Sequence, residues 1–292
     1  MRGTARTCRA ASASRGSWTP TCSTARCPAR ARAARRPSLS RVTDFQDYHS
    51  RIAQIETEAA RLAALAGDLS VPVPTCPGWT LAELITHVGR THRWTTHMLR
   101  NRVQERVWSR QVPDGLAEGR SGDVAWLAAG AAEMAEVLRA TDPSMQVWTW
   151  GPDRRAAWWP RRMLFELVVH RADAELALGA GPEIPAETAI DGVEEFLHNL
   201  PSAVWVTRSL AELGAEGATI HLHATDADGE WTITQGPAGR IEWARGHAKG
   251  DVAVRGPVSD LLLLLYGRRS PDTFAVFGDR ALLERWLPAA AF

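Results

Sequence analysis

Two residues one helical turn apart, Glu166 and His170, have the types and spacing to hold a divalent cation. At i and i+4 their side chains share one helix face, about 5–6 Å apart at Cβ, so both can reach one ion. Leu167, Val168 and Val169 lie between them, and polar side chains on such an apolar, inward helix are costly to bury unless paired or coordinated. His87, in the run Leu84-Ile85-Thr86-His87-Val88, supplies a third donor from the flank of another apolar stripe. Two imidazoles and one carboxylate leave coordination positions open, which separates a catalytic metal site from a closed structural one. Asp173, three residues past His170, is spaced to orient that imidazole. A Glu-x-x-x-His pair alone also fits an ordinary surface contact, and a lone His87 an interior or rim histidine. The metal reading therefore requires the two helices to face each other.

Other residues have weaker claims. Cys76 precedes a helix N-terminus, where the dipole lowers a thiol's pKa. As a nucleophile it would need a base, and His87 lies two turns into that helix; the alternative is a small buried residue in a Pro-Gly turn. Trp148, Trp150, Trp158 and Trp159 cluster around a loop, where packing is the expected use and a pocket mouth the other. His92 and His97, five apart, fall on different faces and are expected to be solvated. His221 and His223 share a strand face, but no third ligand is evident. Arg90, near His87, reads as an aid to an anionic ligand or as a surface ion pair.

These side chains must be positioned by helices. Ile52, Ile55, Ala59, Leu62 and Leu65 define one apolar face, ended by Gly67. Pro72, Pro74 and Pro77 exclude helix from the segment Val71–Trp79. Thr80 and Glu83 form a capping box for a second helix running toward Leu99. A third is expected over Val124–Ala140, and a fourth between Pro160, at its first position, and Gly179, just past its end. Four helices make a bundle, an architecture whose core hosts metal sites built from facing helices. Beyond it, Thr219–His223, Glu230–Thr234, Arg240–Ala244 and Val252–Arg255 read as strands. Helices are expected at Ala189–Leu200, Val258–Gly267 and Ala281–Leu287, an α+β unit.

The chain has 292 residues and a formal net charge of +1, but residues 1–41 hold ten Arg and no acid. That leaves 24 bases against 33 acids, a net −9, for residues 42–292, a poor match for the phosphate backbone of nucleic acid. The head also holds Cys8, Cys22 and Cys27 and shows no hydrophobic period. It is expected to be a disordered extension or an over-extended gene start, with a transit peptide as the other reading. Domains are expected at 42–180 and 181–292. One cysteine in the body points to a reducing cytosol. The longest apolar run, Leu261–Tyr266, falls far short of the about 18–20 residues that span a bilayer.

The stretch Val73-Pro-Thr-Cys-Pro-Gly-Trp-Thr80, continuing to Leu84-Ile-Thr-His-Val-Gly-Arg90, resembles the entry to the metal-binding helix of the mycothiol-dependent maleylpyruvate isomerase family. Phe165-Glu-Leu-Val-Val-His-Arg-Ala-Asp-Ala-Glu175 is similar to its second metal motif. Gly250-Asp-Val-Ala-Val-Arg-Gly-Pro257 and the run Asp260–Arg268 are similar to its C-terminal domain. The resemblance implies a DinB-like four-helix bundle followed by a smaller, sterol-carrier-like α+β domain. It implies zinc on His87, Glu166 and His170, with mycothiol as thiol cosubstrate. A metal-activated thiolate would add to an electrophilic double bond, and rotation and elimination would release the trans isomer. A C-terminal-domain arginine would meet the substrate's negative charge, with Arg268 and Arg255 the candidates. A mycothiol S-transferase acting on another electrophile, or a non-catalytic metal- or ligand-binding module, would use the same residues.

Overall fold

A computed structural model describes residues 41–65 and 67–292. Apart from Arg41, the expected basic extension lies outside the described residues. Four helices come first, α1 (Arg41–Leu65), α2 (Leu81–Arg100), α3 (Val124–Ala140) and α4 (Trp158–Ala177). Next come α5 (Ala186–Asn199) and α6 (Val204–Leu213), then strands β1 (Thr219–Ala224), β2 (Glu230–Gln235), β3 (Ile241–Arg245) and β4 (Val252–Gly256). Helix α7 (Val258–Leu265), strand β5 (Ala275–Gly278) and helix α8 (Arg280–Ala289) complete the fold. It is a two-part α+β architecture. Among the described residues no helix is long and apolar enough to cross a membrane.

The start of α2 is fixed by the turn before it. Val73 N–H donates to the Trp79 carbonyl (2.9 Å) and Leu81 N–H to that of Val71 (2.9 Å), closing the proline segment into a tight loop. Gly78 sits there at φ +84°, a conformation glycine adopts without strain. The Glu83 carboxylate accepts from the Thr80 amide (2.8 Å) and from the Thr80 hydroxyl. Helices α2 and α3 then pack through Trp126. Its ring occupies the space where a Cβ on either Gly89 or Gly122 would stand, and the Arg93 guanidinium lies 3.7 Å from its centroid.

Helix α4 is the central rod. Pro160 is its third residue, not its first; a missing N–H is tolerated anywhere in that opening turn. Nearly every residue from Trp158 to Glu175 is buried, so α4 has no solvated face. Its charged residues are consequently all inside, and each must find a partner.

The sheet runs β3-β2-β1-β4-β5, with β1 and β4 parallel and the other neighbours antiparallel. Strand β5 and helix α6 are elements that the hydrophobic pattern did not reveal. Ile220, Leu222 and Ala224 turn into the core with Leu261 and Leu264, while His221 and His223 occupy the opposite face by alternation. Helix α5 links the two halves. A Cβ at its Gly192 would meet Phe165 of α4 at 2.8 Å and Leu262 of α7 at 2.9 Å, so the sheet domain is seated directly on the rod that carries Glu166 and His170.

Candidate metal centre

Helices α2 and α4 face each other at His87. Its Nε2 lies 3.0 Å from Glu166 Oε1, and His170 Nε2 lies 3.4 Å from the same oxygen. The three donor atoms all fall within 4.8 Å of one another. Donors around a tetrahedral zinc with bonds of about 2.1 Å stand about 3.4 Å apart, close to both histidine-to-Glu166 separations.

Two of the three ligands have their other polar atom already occupied. His170 Nδ1 pairs with Asp173 Oδ2 at 2.9 Å, which fixes the ring and leaves Nε2 toward the cleft. Glu166 Oε2 accepts from Arg162 Nη2 at 2.8 Å, leaving Oε1 toward the histidines. Arg162 is fixed in turn by Glu195 (3.0 Å) and by the Tyr266 hydroxyl (3.0 Å). Burial alone would raise the Glu166 carboxyl, yet hydrogen bonds from His170 and His87 and the Arg162 charge hold it well below the ordinary carboxylate range. Burial likewise opposes charge on His170, but Asp173, Cys76 and Glu166 carry it well above its usual value.

Asp173 is fully buried and joins three parts of the chain. Besides His170 it accepts from Thr75 Oγ1 (2.5 Å), Cys76 Sγ (3.4 Å) and both Nε (3.0 Å) and Nη2 (2.9 Å) of Arg268. His170 and Arg268 keep its carboxyl far below the ordinary range despite the opposing effect of burial. Arg268 also donates to the Tyr266 carbonyl (2.6 Å). The C-terminal domain therefore delivers Arg268 to the back of the trio. It does not deliver Arg255, which stands on β4 beside His223 (3.5 Å) and lines none of this cleft. Cys76 is half-buried in the cleft wall, not sequestered in its turn.

The trio lies at the floor of a cleft of about 470 Å³, within the usual range for small-molecule sites. Trp79 packs on both histidines, its ring 5.0 Å from His87 and 6.4 Å from His170. Trp94, Trp148, Trp150 and Trp205 supply much of the remaining wall. Trp148 and Trp150 thus do line a pocket, whereas Trp158 and Trp159 belong to the first turn of α4 and are buried. On the other side of His87 a second, wider cleft of about 840 Å³ opens among Arg90, Arg110 and Arg120. Arg90 is ion-paired there with Asp114 at 2.7 Å. Arg162 and Tyr266 escaped the sequence reading. Arg162 had a usable signal, since it precedes Glu166 by four residues; Tyr266 had none.

Residues 52–175 match the mycothiol maleylpyruvate isomerase N-terminal domain, and residues 187–285 match that family's C-terminal domain. The chain belongs to this family of enzymes. The maleylpyruvate isomerase fold is also found in solved structures. One is the mycothiol-dependent maleylpyruvate isomerase (16% identity, TM-score 0.54, covering 82% of this chain and 95% of that one). Another is a histidine-to-alanine mutant of it (17% identity, TM-score 0.54, with the same coverage). Among curated proteins none matches the chain.

His92 departs from expectation. It is 1% exposed, because α2 turns that face into the bundle, and neither ring nitrogen has a hydrogen-bond partner among the described residues. Burial, with the Arg93 charge nearby, pushes its imidazole down to about 3. A His92→Leu variant is expected to be more stable by about 1 kcal/mol at pH 7.5, because an unsatisfied buried polar group is removed. The unfolded chain takes up the proton near pH 6.5 and the folded chain does not. Wild-type stability therefore falls relative to the variant as pH drops from about 6.5 toward 3, by up to about 1.4 kcal/mol per pH unit. Urea midpoints of both proteins at pH 7.5 and pH 5 measure this gap; a gap that stays constant would contradict it.

Proposed function

We propose that the protein is a zinc- and mycothiol-dependent cis–trans isomerase of the maleylpyruvate type, acting in the cytosol. The observation that carries this reading is the His87–Glu166–His170 trio, whose donor atoms converge within 4.8 Å of one another. His170 and Glu166 each have their second polar atom engaged, and the trio lines an aromatic cleft. When bound there, zinc would keep a thiol ionised at neutral pH. The chain's own residues do the rest. Asp173 fixes the ring of His170, and Arg162 holds Glu166 with one oxygen forward. The tryptophan wall limits water around the reacting carbons.

Negative charge on the substrate needs a cation. Arg162 and Arg268 line the cleft but are committed to buried carboxylates. Arg268 acts chiefly by holding Asp173. Arg106, also in the lining, lies over the Trp108 ring at 3.5 Å and pairs with no carboxylate among the described residues. It is the arginine best placed to meet a substrate carboxylate. The wider cleft beyond His87, with its arginines, suits the polar sugar portion of a large thiol.

Incubation with mycothiol and maleylpyruvate tests this reading. Fumarylpyruvate should form with mycothiol unconsumed. Accumulation of a stable thioether would replace the isomerase by an S-transferase. Failure to turn over with zinc loaded would leave a binding module.

A further inference from the structure

His221 and His223 acquire the partners that their spacing did not show. Register places Glu230 of β2 directly across from His223, and its carboxylate reaches His223 Nδ1 at 2.5 Å. The β3–β4 loop brings in His247, whose Nδ1 is 3.1 Å from the same carboxylate. His221 Nε2 stands 3.8 Å from it. Four donor atoms, three imidazole nitrogens and a carboxylate oxygen, thus lie within 4.8 Å of one another. His221 is 3% exposed, and its Nε2 has no hydrogen-bond partner among the described residues. A buried ring nitrogen 3.8 Å from the nearest carboxylate is an unsatisfied polar atom, and burial of such an atom is costly.

We propose that His221, His223, Glu230 and His247 form a second divalent-metal site, suited to zinc, on the sheet face opposite Ile220 and Leu222. Three nitrogens and one oxygen are the borderline donors that zinc takes in tetrahedral geometry. The three histidine-to-Glu230 separations, 2.5 to 3.8 Å, bracket the about 3.4 Å expected between zinc ligands. The surroundings support the arrangement. Thr232 Oγ1 lies 3.4 Å from His221 Nδ1, leaving Nε2 toward the cluster. A Cβ on Gly250 would stand 3.1 Å from His221 N, so glycine lets the loop close against β1. Gly246, at φ +114°, makes the sharp exit from β3 that returns His247 over the cluster. Arg255, exposed and 3.5 Å from His223 Nε2, has room to turn to water when an ion takes Nδ1. With four protein ligands the coordination is closed. This metal clips the β3–β4 loop to the sheet and takes no part in the bundle chemistry.

The test uses the full chain carrying His87→Ala and His170→Ala, so that the bundle trio cannot contribute. After chelator treatment and dialysis, zinc chloride is titrated against a competing chromophoric chelator. One zinc per chain is expected. Adding His247→Ala, whose side chain is 79% exposed and cannot support the fold, should weaken binding by more than about tenfold, and so should Glu230→Gln. No uptake, or uptake unchanged by both substitutions, would overturn the site. In the chain with an intact bundle, His247→Ala alone should remove one equivalent from the zinc total, which keeps the test decisive if the double variant folds poorly. None of these readouts depends on the thiol chemistry proposed for the bundle.

Discussion

A His170→Ala chain should carry one equivalent of zinc fewer than wild type and isomerise maleylpyruvate about 10³-fold more slowly. That loss is equivalent to roughly 4 kcal/mol of transition-state stabilisation. The substitution removes one of three donors while leaving the others in place. Glu166 stays on Arg162, and Asp173 stays on Arg268. Alanine also suits the middle of α4 better than any other residue, so the helix itself should persist. Asp173→Asn makes the useful contrast. It keeps all three ligands but loosens the His170 ring, and zinc affinity should fall by about 10- to 100-fold without vanishing. Metal content by mass spectrometry and initial rates with saturating mycothiol measure both. Full zinc content in the His170→Ala chain would remove the bundle trio from consideration.

Why the trio was readable in the sequence is a matter of where its information lies. Glu166 and His170 declare themselves within one helix through their four-residue spacing. The Thr80–Glu83 box and the prolines before it set the start of α2, and so the direction of His87. Local periodicity supplied those facts, and it gave α3 to the residue. It could not supply what depends on closure. His92 looked solvated from its five-residue spacing to His97, and only packing against the rest of the bundle buries it. Glu230 and His247 join His221 and His223 through strand register and a returning loop, neither of which follows from residue counting. Arg255 fails for the same reason. Its place on β4 sets it across from His223, whereas Arg268, at the turn after α7, is directed back to Asp173.

The other large effect concerns stability. Arg171 is fully buried between α1 and α4. It donates to Glu58, to Glu175 (2.5 Å) and to the Glu183 carbonyl (3.0 Å). Arg171→Met should lower the unfolding free energy by about 3–5 kcal/mol, because it strands two inward carboxylates while replacing the stem with a residue of similar bulk. Arg61 will soften the loss. It lies 3.2 Å from Glu58 and 3.8 Å from Glu175, but it is 37% exposed and well screened, which favours the lower end of that range. Removing Arg61 alone should therefore cost less than about 1 kcal/mol. Neutralising the stranded acids distinguishes a lost attraction from an uncompensated charge. A triple variant, Arg171→Met with Glu58→Gln and Glu175→Gln, should regain most of the stability, since the dominant penalty is the burial of unpaired carboxylates and not the absence of the ion pair. Urea midpoints at unchanged slope report all three proteins. If the triple variant were no more stable than Arg171→Met, the arginine would be acting through packing of its stem, and the charges along this side of α4 would contribute little to holding α1 in place.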